Sequence, residues 1–191
     1  MPASKILIRA QDGTPEQIAF LSAAFSPTAA RDLRINTPTT ATISMASVAN
    51  AAARQSTKVD LGDPRPTLYK VRATIEFAAT PTAGLTVDLY WAPSSSATAG
   101  TGNAAGVTGT DAAYAGDSSN LTAALRQLER IGTFVCTEVP TAEGIQTAEC
   151  GYFVPGERYG SLVVVNSSGA AIHSDDQEFH VVFSPVNTES Q

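Results

Sequence analysis

The segment from His173 to His180 holds the densest group of metal-ligand side chains in the chain. It reads HSDDQEFH and supplies five candidate ligands, which are His173, Asp175, Asp176, Glu178 and His180. Hard cations take several carboxylates from one loop, and zinc needs histidines in close, rigid geometry. The two histidines flank a predicted turn, and His180 lies on the polar face of the next strand, opposite Phe179. We therefore expect a solvated turn and no metal, with a structural calcium site at Asp175 and Asp176 as the alternative.

Three glycines, Gly100, Gly102 and Gly106, resemble a phosphate-binding loop but do not meet its requirements. Their spacing is one residue too long for the dinucleotide fingerprint, no helix begins directly at the loop, and no lysine follows as in a P-loop. The chain also lacks the Gly-x-Ser-x-Gly elbow of a serine nucleophile, and no local motif joins a histidine to a cysteine. We expect no cofactor and no enzymatic activity.

Three aromatic side chains, Tyr90, Trp91 and Tyr114, are candidates for a binding platform. Trp91 ends a strand pattern and is expected to face the core. Tyr114 differs because it is the lone aromatic residue in a polar loop. An exposed tyrosine there would be a suitable anchor into a neighbouring subunit, since tyrosine supplies a large contact area.

The two cysteines, Cys136 and Cys150, flank a predicted turn at residues 140–144 and could face one another across a hairpin. Reduced core thiols are the expectation, because the N-terminal sequence lacks the pattern of a signal peptide and a cytoplasm is reducing. A disulfide formed after release from the cell is the alternative. No segment approaches the roughly 20 apolar residues that span a bilayer, so no membrane partner is expected.

The composition limits the partners further. The chain has 191 residues, a net charge of -6 and only 16% charged residues, against roughly 25% in typical soluble domains. A negative balance argues against nucleic acid, which requires a basic face. A surface with few charges provides little electrostatic repulsion to oppose association with other protein molecules. We therefore expect a homo-oligomer, a dimer or a trimer.

Residues 1–38 are predicted to form an N-terminal strand and helix segment that could serve as an arm. The strand is SKILIRA, and a helix is expected to begin at Thr14 and to carry Ile18, Leu21 and Phe25 on one face. A buried strand over IAFLSAAF is the alternative.

Residues 39–186 show a succession of strand patterns. Residues 69–77 alternate most clearly, and residues 87–91 follow after a turn, which predicts an antiparallel hairpin. A helix is expected from Leu121 to Ile131, ended by Gly132. We expect an all-β fold, an antiparallel, jelly-roll-like β-sandwich with one or two short helices, a long Gly/Ala/Ser/Thr-rich loop at residues 92–120 and a disordered tail at 187–191.

The loop at residues 92–120 contains almost no residue expected to anchor a core. A connection of this length inside a compact domain is usually functional or disordered. We interpret it as a flexible arm that contacts a neighbouring subunit through five residues, which are Tyr114, Gly100, Gly102, Gly106 and Asn103.

The stretches VDLYWAPSSSATAGTGNAAGVTGTDAAYAG and ERYGSLVVVNSSG resemble small virion structural proteins of tailed bacteriophages, of the kind that decorate or cement the capsid. The similarity runs over residues 49–185. It implies a non-enzymatic protein that is made in the host cytoplasm, binds the major capsid protein and resides in the virion. The alternatives are a head-fibre, neck or tail protein, a carbohydrate-binding β-sandwich that stacks sugars on Tyr90 and Trp91, and a small hydrolase.

Overall fold

The computed structural model describes residues 17–63, 65–137 and 144–186, and their secondary structure is mostly β. The strands in chain order are β1 (Ile18–Leu21), β2 (Thr39–Thr42), β3 (Ala53–Gln55), β4 (Val59–Asp60), β5 (Tyr69–Glu76), β6 (Thr86–Ser94), β7 (Ala112–Ala113), β8 (Glu129–Val135), β9 (Ile145–Phe153), β10 (Tyr159–Ser167) and β11 (His180–Pro185). One short helix, α1 (Leu121–Leu125), and two 3-10 turns, Ala104–Gly106 and Asp117–Ser119, interrupt the connection between β6 and β8.

The strands form two sheets that pack face to face. The first sheet has the order β2-β1-β11-β5-β9, and the second has the order β7-β3-β10-β6-β8, with β4 added to one end of β10. All neighbours are antiparallel except β1 and β2. The central strands β1-β11-β5-β9 and β3-β10-β6-β8 are two interleaved four-stranded sheets, which is the jelly-roll arrangement. The expected antiparallel β-sandwich is therefore confirmed.

The core between the sheets is built by alternation along the long strands. In β5 and β6 every second side chain points inward, including Val71, Ile75 and Leu89, and each is 0% exposed. An aromatic cluster occupies one end of this core, where the ring of Phe183 lies 5.9 Å from that of Trp91 and 4.9 Å from that of Phe153. The inward faces of both strands thus match the sequence pattern.

The expected hairpin between residues 69–77 and 87–91 is wrong, because β5 and β6 belong to opposite sheets. Strand β5 pairs with β11 and β9, and β6 pairs with β10 and β8. Both strands present apolar residues to the same core from opposite sides. The alternation of apolar residues indicates which face of a strand is buried, but it does not indicate which strand pairs with it.

The helix expected from Leu121 to Ile131 is shorter than predicted. Asn120 caps its N-terminus, because the Asn120 side chain accepts a hydrogen bond from the Ala123 amide at 3.0 Å. The helix ends at Leu125, however, and β8 begins at Glu129. Ile131 and Gly132 therefore lie in a strand that pairs with β6, so sheet formation overrides the helical spacing.

The predicted N-terminal helix is also wrong where the structure describes it. Residues Ile18–Leu21 form β1, which pairs with β11 on one side and with β2 on the other. Ile18 and Phe20 point into the core, as the buried-strand alternative predicts. The expected strand SKILIRA and the expected tail at 187–191 lie outside the described residues.

Candidate functional site

The connection between β6 and β8 folds into a cap, which we define as residues 95–128. The cap lies on the outer face of the second sheet and shares with it a second hydrophobic cluster. The buried members are Ala53, Ala92, Val107, Tyr114, Ala124, Leu128, Val163 and Val165. Strand β10 has apolar side chains on both faces, and the outward ones would contact water without this cover. The expectation of a flexible arm that lacks core residues is therefore wrong.

Tyr114 is the central anchor of the cap and is 4% exposed. Its hydroxyl donates a hydrogen bond to the carbonyl of Ala105 at 2.7 Å, and its backbone amide donates to the carbonyl of Ala53 at 2.9 Å. Burial, followed by the nearby Asp117 carboxylate, raises the pKa of the phenol. The expectation of an exposed aromatic is wrong, because Tyr114 anchors the cap to its own sheet.

Lys58 fastens the first part of the cap. It lies between β3 and β4, and its Nζ is close to four oxygens, which are the Ser94 hydroxyl at 2.8 Å and the carbonyls of Ser96, Thr98 and Thr101 at 2.9, 2.6 and 2.9 Å. Partial burial lowers the pKa of Lys58. No sequence motif marks this cage, because three of its four oxygens belong to the backbone.

The glycines of the cap occupy defined backbone positions. Gly102 and Gly106 have φ angles of +68° and +73°, and a Cβ on either would approach Ser95 or Asp117. Asn103 donates from its side chain to the carbonyl of Ala99 at 2.6 Å. These three residues therefore shape the cap. Their expected contact with a neighbouring subunit, and that of Gly100, stays a prediction.

Asp111 joins the cap to the other sheet. Its Oδ1 accepts from the Arg54 guanidinium at 3.1 Å and from the backbone amide of Ser44, which follows β2, also at 3.1 Å. Gln55 and Thr108 form a further pair of hydrogen bonds at 2.7 and 3.0 Å. The cap is thus fixed by side chains of the second sheet and by the backbone amide that follows β2 of the first sheet.

The segment from His173 to His180 is not a solvated turn throughout. Asp176 is buried, and its Oδ2 accepts from the amides of Met45 and Ala46 at 3.0 and 3.2 Å and from the Ser44 hydroxyl at 3.3 Å. Asp176 therefore holds the loop after β2, whereas Asp175 is exposed. The two carboxylates do not form the alternative calcium site. Glu178 and His180 are buried as well.

One group among the described residues offers donors suited to a metal ion. It comprises Glu76, His173 and Asp175, whose ligand atoms all lie within 4.8 Å of one another. The backbone amide of His173 donates to the carbonyl of Glu76 at 2.9 Å, which brings the two chain segments together. Sequence reasoning missed Glu76 because it lies on β5, far from the histidine along the chain. The donor set of two carboxylates and one imidazole suits a divalent cation.

Trp91 cannot stack on a sugar as the predicted aromatic platform requires, because it is 0% exposed and lies in the core. Tyr90 is partly buried beneath the cap. Large exposed apolar side chains occur elsewhere, among them Tyr152 and Val154, which are 53% and 61% exposed. Tyr152 lies on the outer face of the first sheet, on the side of the sandwich away from the cap.

Both cysteines are free thiols. Cys136 directly follows β8, and Cys150 is the extra residue of a bulge in β9. Because β8 and β9 belong to different sheets, the expected placement across a hairpin is wrong. Burial raises the pKa of Cys136 to about 11 and that of Cys150 to about 12.

Comparison with protein-family models and with curated proteins gives no match for this chain. Within the described ranges, none of the helical segments has the length and apolar character needed to cross a membrane. The class of the protein therefore follows from its own architecture, which is a jelly-roll sandwich with a folded cap on one face.

Proposed function

We propose that this chain is a capsid decoration, or cement, protein of a tailed bacteriophage. It binds the outer surface of the major capsid shell and stabilises the shell by bridging capsomers. The resemblance over residues 49–185 supports this proposal, and so does the jelly roll, an architecture common in viral capsid proteins. The virion is then its location, and the major capsid protein is its partner.

The observation that carries the proposal is the cap surface. The cap contains only three charged residues, Asp111, Asp117 and Arg126, and Asp111 is paired with Arg54. Nearly all other side chains of residues 95–120 are small or hydroxylated. Such a surface can approach another protein closely over a wide area, and few charges must be desolvated when it docks.

The fixed shape of the cap favours tight docking. A flexible arm would lose conformational entropy on binding, whereas a preorganised surface loses little. Attachment through two or three copies of the chain would multiply the contacts at symmetry-related sites, so that modest single contacts give a long-lived complex. A homo-oligomer, dimer or trimer, is therefore part of the proposal.

Binding to empty capsid shells tests the function directly. The purified chain is mixed with shells of the phage that encodes it, and bound protein is quantified after sedimentation. We expect saturable binding in proportion to the number of capsomers, together with a higher melting temperature of the shell. Saturation at a few copies per particle would instead identify a neck, tail or head-fibre protein. Absence of binding would overturn the proposal.

Substitutions test whether the cap is the contact face. Deleting residues 100–116 is unsuitable, because it removes Val107 and Tyr114 and uncovers Val163. Gly100→Lys is suitable, since a Cβ at Gly100 meets no described atom within 4 Å. We expect roughly tenfold weaker shell binding, because the new ammonium must be desolvated at the contact.

Gly156→Lys is the matched control, because its Cβ also meets no described atom within 4 Å and it lies between β9 and β10, outside the cap. It adds the same charge and is expected to leave shell binding unchanged. Tyr152→Lys places that charge on the outer face of the first sheet. If Tyr152→Lys weakens binding and Gly100→Lys does not, the contact face is the first sheet and the role of the cap is refuted.

A further inference from the structure

His180 lies beneath a second cover, on the opposite side of the sandwich from the cap. This covering segment, residues 22–38, connects β1 to β2 and lies on the outer face of the first sheet. His180 stands on β11, opposite Leu21 on one side and Thr74 on the other, and is 0% exposed. The ring of Phe25 lies edge-on to the imidazole at 5.0 Å.

Two backbone groups fix the protonation state of the imidazole. The amide of Leu33 donates to Nε2 at 3.1 Å, so Nε2 must carry a lone pair. Nδ1 lies 2.9 Å from the carbonyl of Glu178, which can only accept, so Nδ1 carries the proton. The arrangement therefore requires neutral His180 with its proton on Nδ1. A second proton on Nε2 would point at the Leu33 N–H and break this hydrogen bond.

The two carboxylates near the ring, Asp32 and Glu178, favour an imidazolium, but each is already engaged with other groups. Asp32 forms a two-point ion pair with Arg34, and Arg34 also stacks on Phe25. Glu178 accepts from the Thr28 amide at 3.0 Å and lies 3.9 Å from Arg31.

On the β5 side, Arg72 donates to the Leu33 carbonyl at 3.2 Å. Gln17, which directly precedes β1, donates to the same carbonyl at 3.1 Å and accepts from the Ile35 amide. Burial is the main cause that lowers the pKa of His180, and Arg34 adds to it, while the Glu178 carbonyl, Asp32 and the Glu178 carboxylate oppose it.

We propose that His180 is an acid-sensitive latch that holds the covering segment on the first sheet at neutral pH and releases it when the imidazole is protonated. Release exposes the outward side chains of Ala19 and Val182, which are both 0% exposed in the latched form and pair with each other across β1 and β11. The latch would thus uncover an apolar sheet face on acidification, independently of any contact made by the cap.

The direction of the pH dependence follows from linkage. A free histidine binds its proton near pH 6.5, and the latched one binds it only at lower pH. With the covering segment released, His180 therefore takes up a proton more readily than in the latched form at pH values below about 6.5. The latch is at full strength above that value and weakens progressively as the pH falls below it.

Solution NMR tests the latch in the intact chain. The ring nitrogens of His180 and the backbone amide of Leu33 are followed from pH 8 to pH 4.5. We expect the proton on Nδ1 at pH 8, and loss of the folded Leu33 amide signal with the same midpoint as protonation of the ring. The Tyr114 amide in the cap keeps its position. A Leu33 amide that stays unchanged while the ring is protonated would overturn the proposal.

Two variants separate the imidazole from its neighbours. In His180→Gln the amide oxygen can accept from Leu33 but does not titrate, so the covering segment should stay bound between pH 8 and pH 5. In Glu178→Gln the release should persist, with a midpoint somewhat below the wild-type value, because the lost carboxylate favours the protonated ring. Release that persists in His180→Gln, or that disappears in Glu178→Gln, would show that the carboxylate is the acid-sensitive group. If His180→Gln does not fold, the pH dependence of the Leu33 amide signal in the wild-type chain still tests the latch.

Discussion

The hydroxyl of Tyr114 donates a 2.7 Å hydrogen bond to the carbonyl of Ala105, a residue whose φ angle is +53°. An alanine in this left-handed region is strained by about 1 kcal/mol. The bond therefore stabilises a backbone conformation that Ala105 would not adopt by itself. A cap built in this way depends on one aromatic residue, because Tyr114 supplies both the packing under the cap and the bond that fixes its turn.

Tyr114→Phe is expected to lower the free energy of unfolding by about 1 kcal/mol, because the carbonyl of Ala105 loses its donor. Tyr114→Ala is expected to lower it by about 3 kcal/mol, because the ring also leaves a cavity under the cap. Urea unfolding followed by circular dichroism measures both values. Tyr152→Phe, at an exposed position, serves as control and should change the value by less than about 0.5 kcal/mol. Equal effects at both tyrosines would contradict the anchoring role.

A pair of glycines tests whether the cap has a fixed backbone. Gly109 has a φ of +69°, and a Cβ there would collide with the carbonyl oxygen of Ala99. Gly109→Ala is therefore expected to cost more than about 2 kcal/mol of unfolding free energy. Gly100→Ala, where the Cβ meets no described atom, should change it by less than about 0.5 kcal/mol. Similar small effects at both positions would mean that the tract is flexible, as its composition indicates.

Local sequence patterns predict which faces of the strands point inward, but they do not predict which strands pair. The alternation of residues 69–77 and 87–91 identified two strands whose inward residues are buried. The partners of those strands come from distant parts of the chain, such as β10 and β11, and depend on which faces meet in the assembled core. A turn between two strands therefore predicted a hairpin that the jelly roll does not contain.

The composition of residues 92–120 does not predict the cap, because small residues are typical of flexible segments. Ala and Gly also allow close packing, and Val107 and Tyr114 are sufficient to anchor the tract. One available signal points to a cover. The run LVVV at residues 162–165 is apolar without alternation, which is typical of a strand buried on both faces. Of the predicted contact residues, Gly102, Asn103 and Gly106 are needed for the shape of the cap, which composition could not reveal.

The thiols give a test of burial. With pKa values raised to about 11 and about 12, Cys136 and Cys150 carry very little thiolate at pH 8. We expect Ellman's reagent to label neither within minutes in the folded protein, and to label both rapidly in urea. An Ala97→Cys variant, at an exposed position of the cap, is the positive control and should react at once. Rapid labelling of Cys136 in the native state would contradict its place in the core.

Lys58 occupies the position of a bound cation inside the cap. Its ammonium approaches three backbone carbonyls and one hydroxyl, and oxygen cages of this kind also bind potassium. The positive charge is tethered to the second sheet between β3 and β4, so it joins the turn at residues 96–101 to the sandwich. Without the ammonium of Lys58, the three carbonyls must accept hydrogen bonds from water or coordinate another cation.

Lys58→Ala is expected to lower the free energy of unfolding by about 2 kcal/mol, because charge-assisted hydrogen bonds are lost. Ammonium or potassium ions should restore part of this stability, since they fit the emptied cage, whereas tetramethylammonium at the same ionic strength should not. Thermal unfolding in the three chloride salts measures the difference, with wild type as control. A salt-induced gain of the same size in wild type would refute a specific cage. A Lys58→Ala variant as stable as wild type would show that the ammonium does not hold the cap.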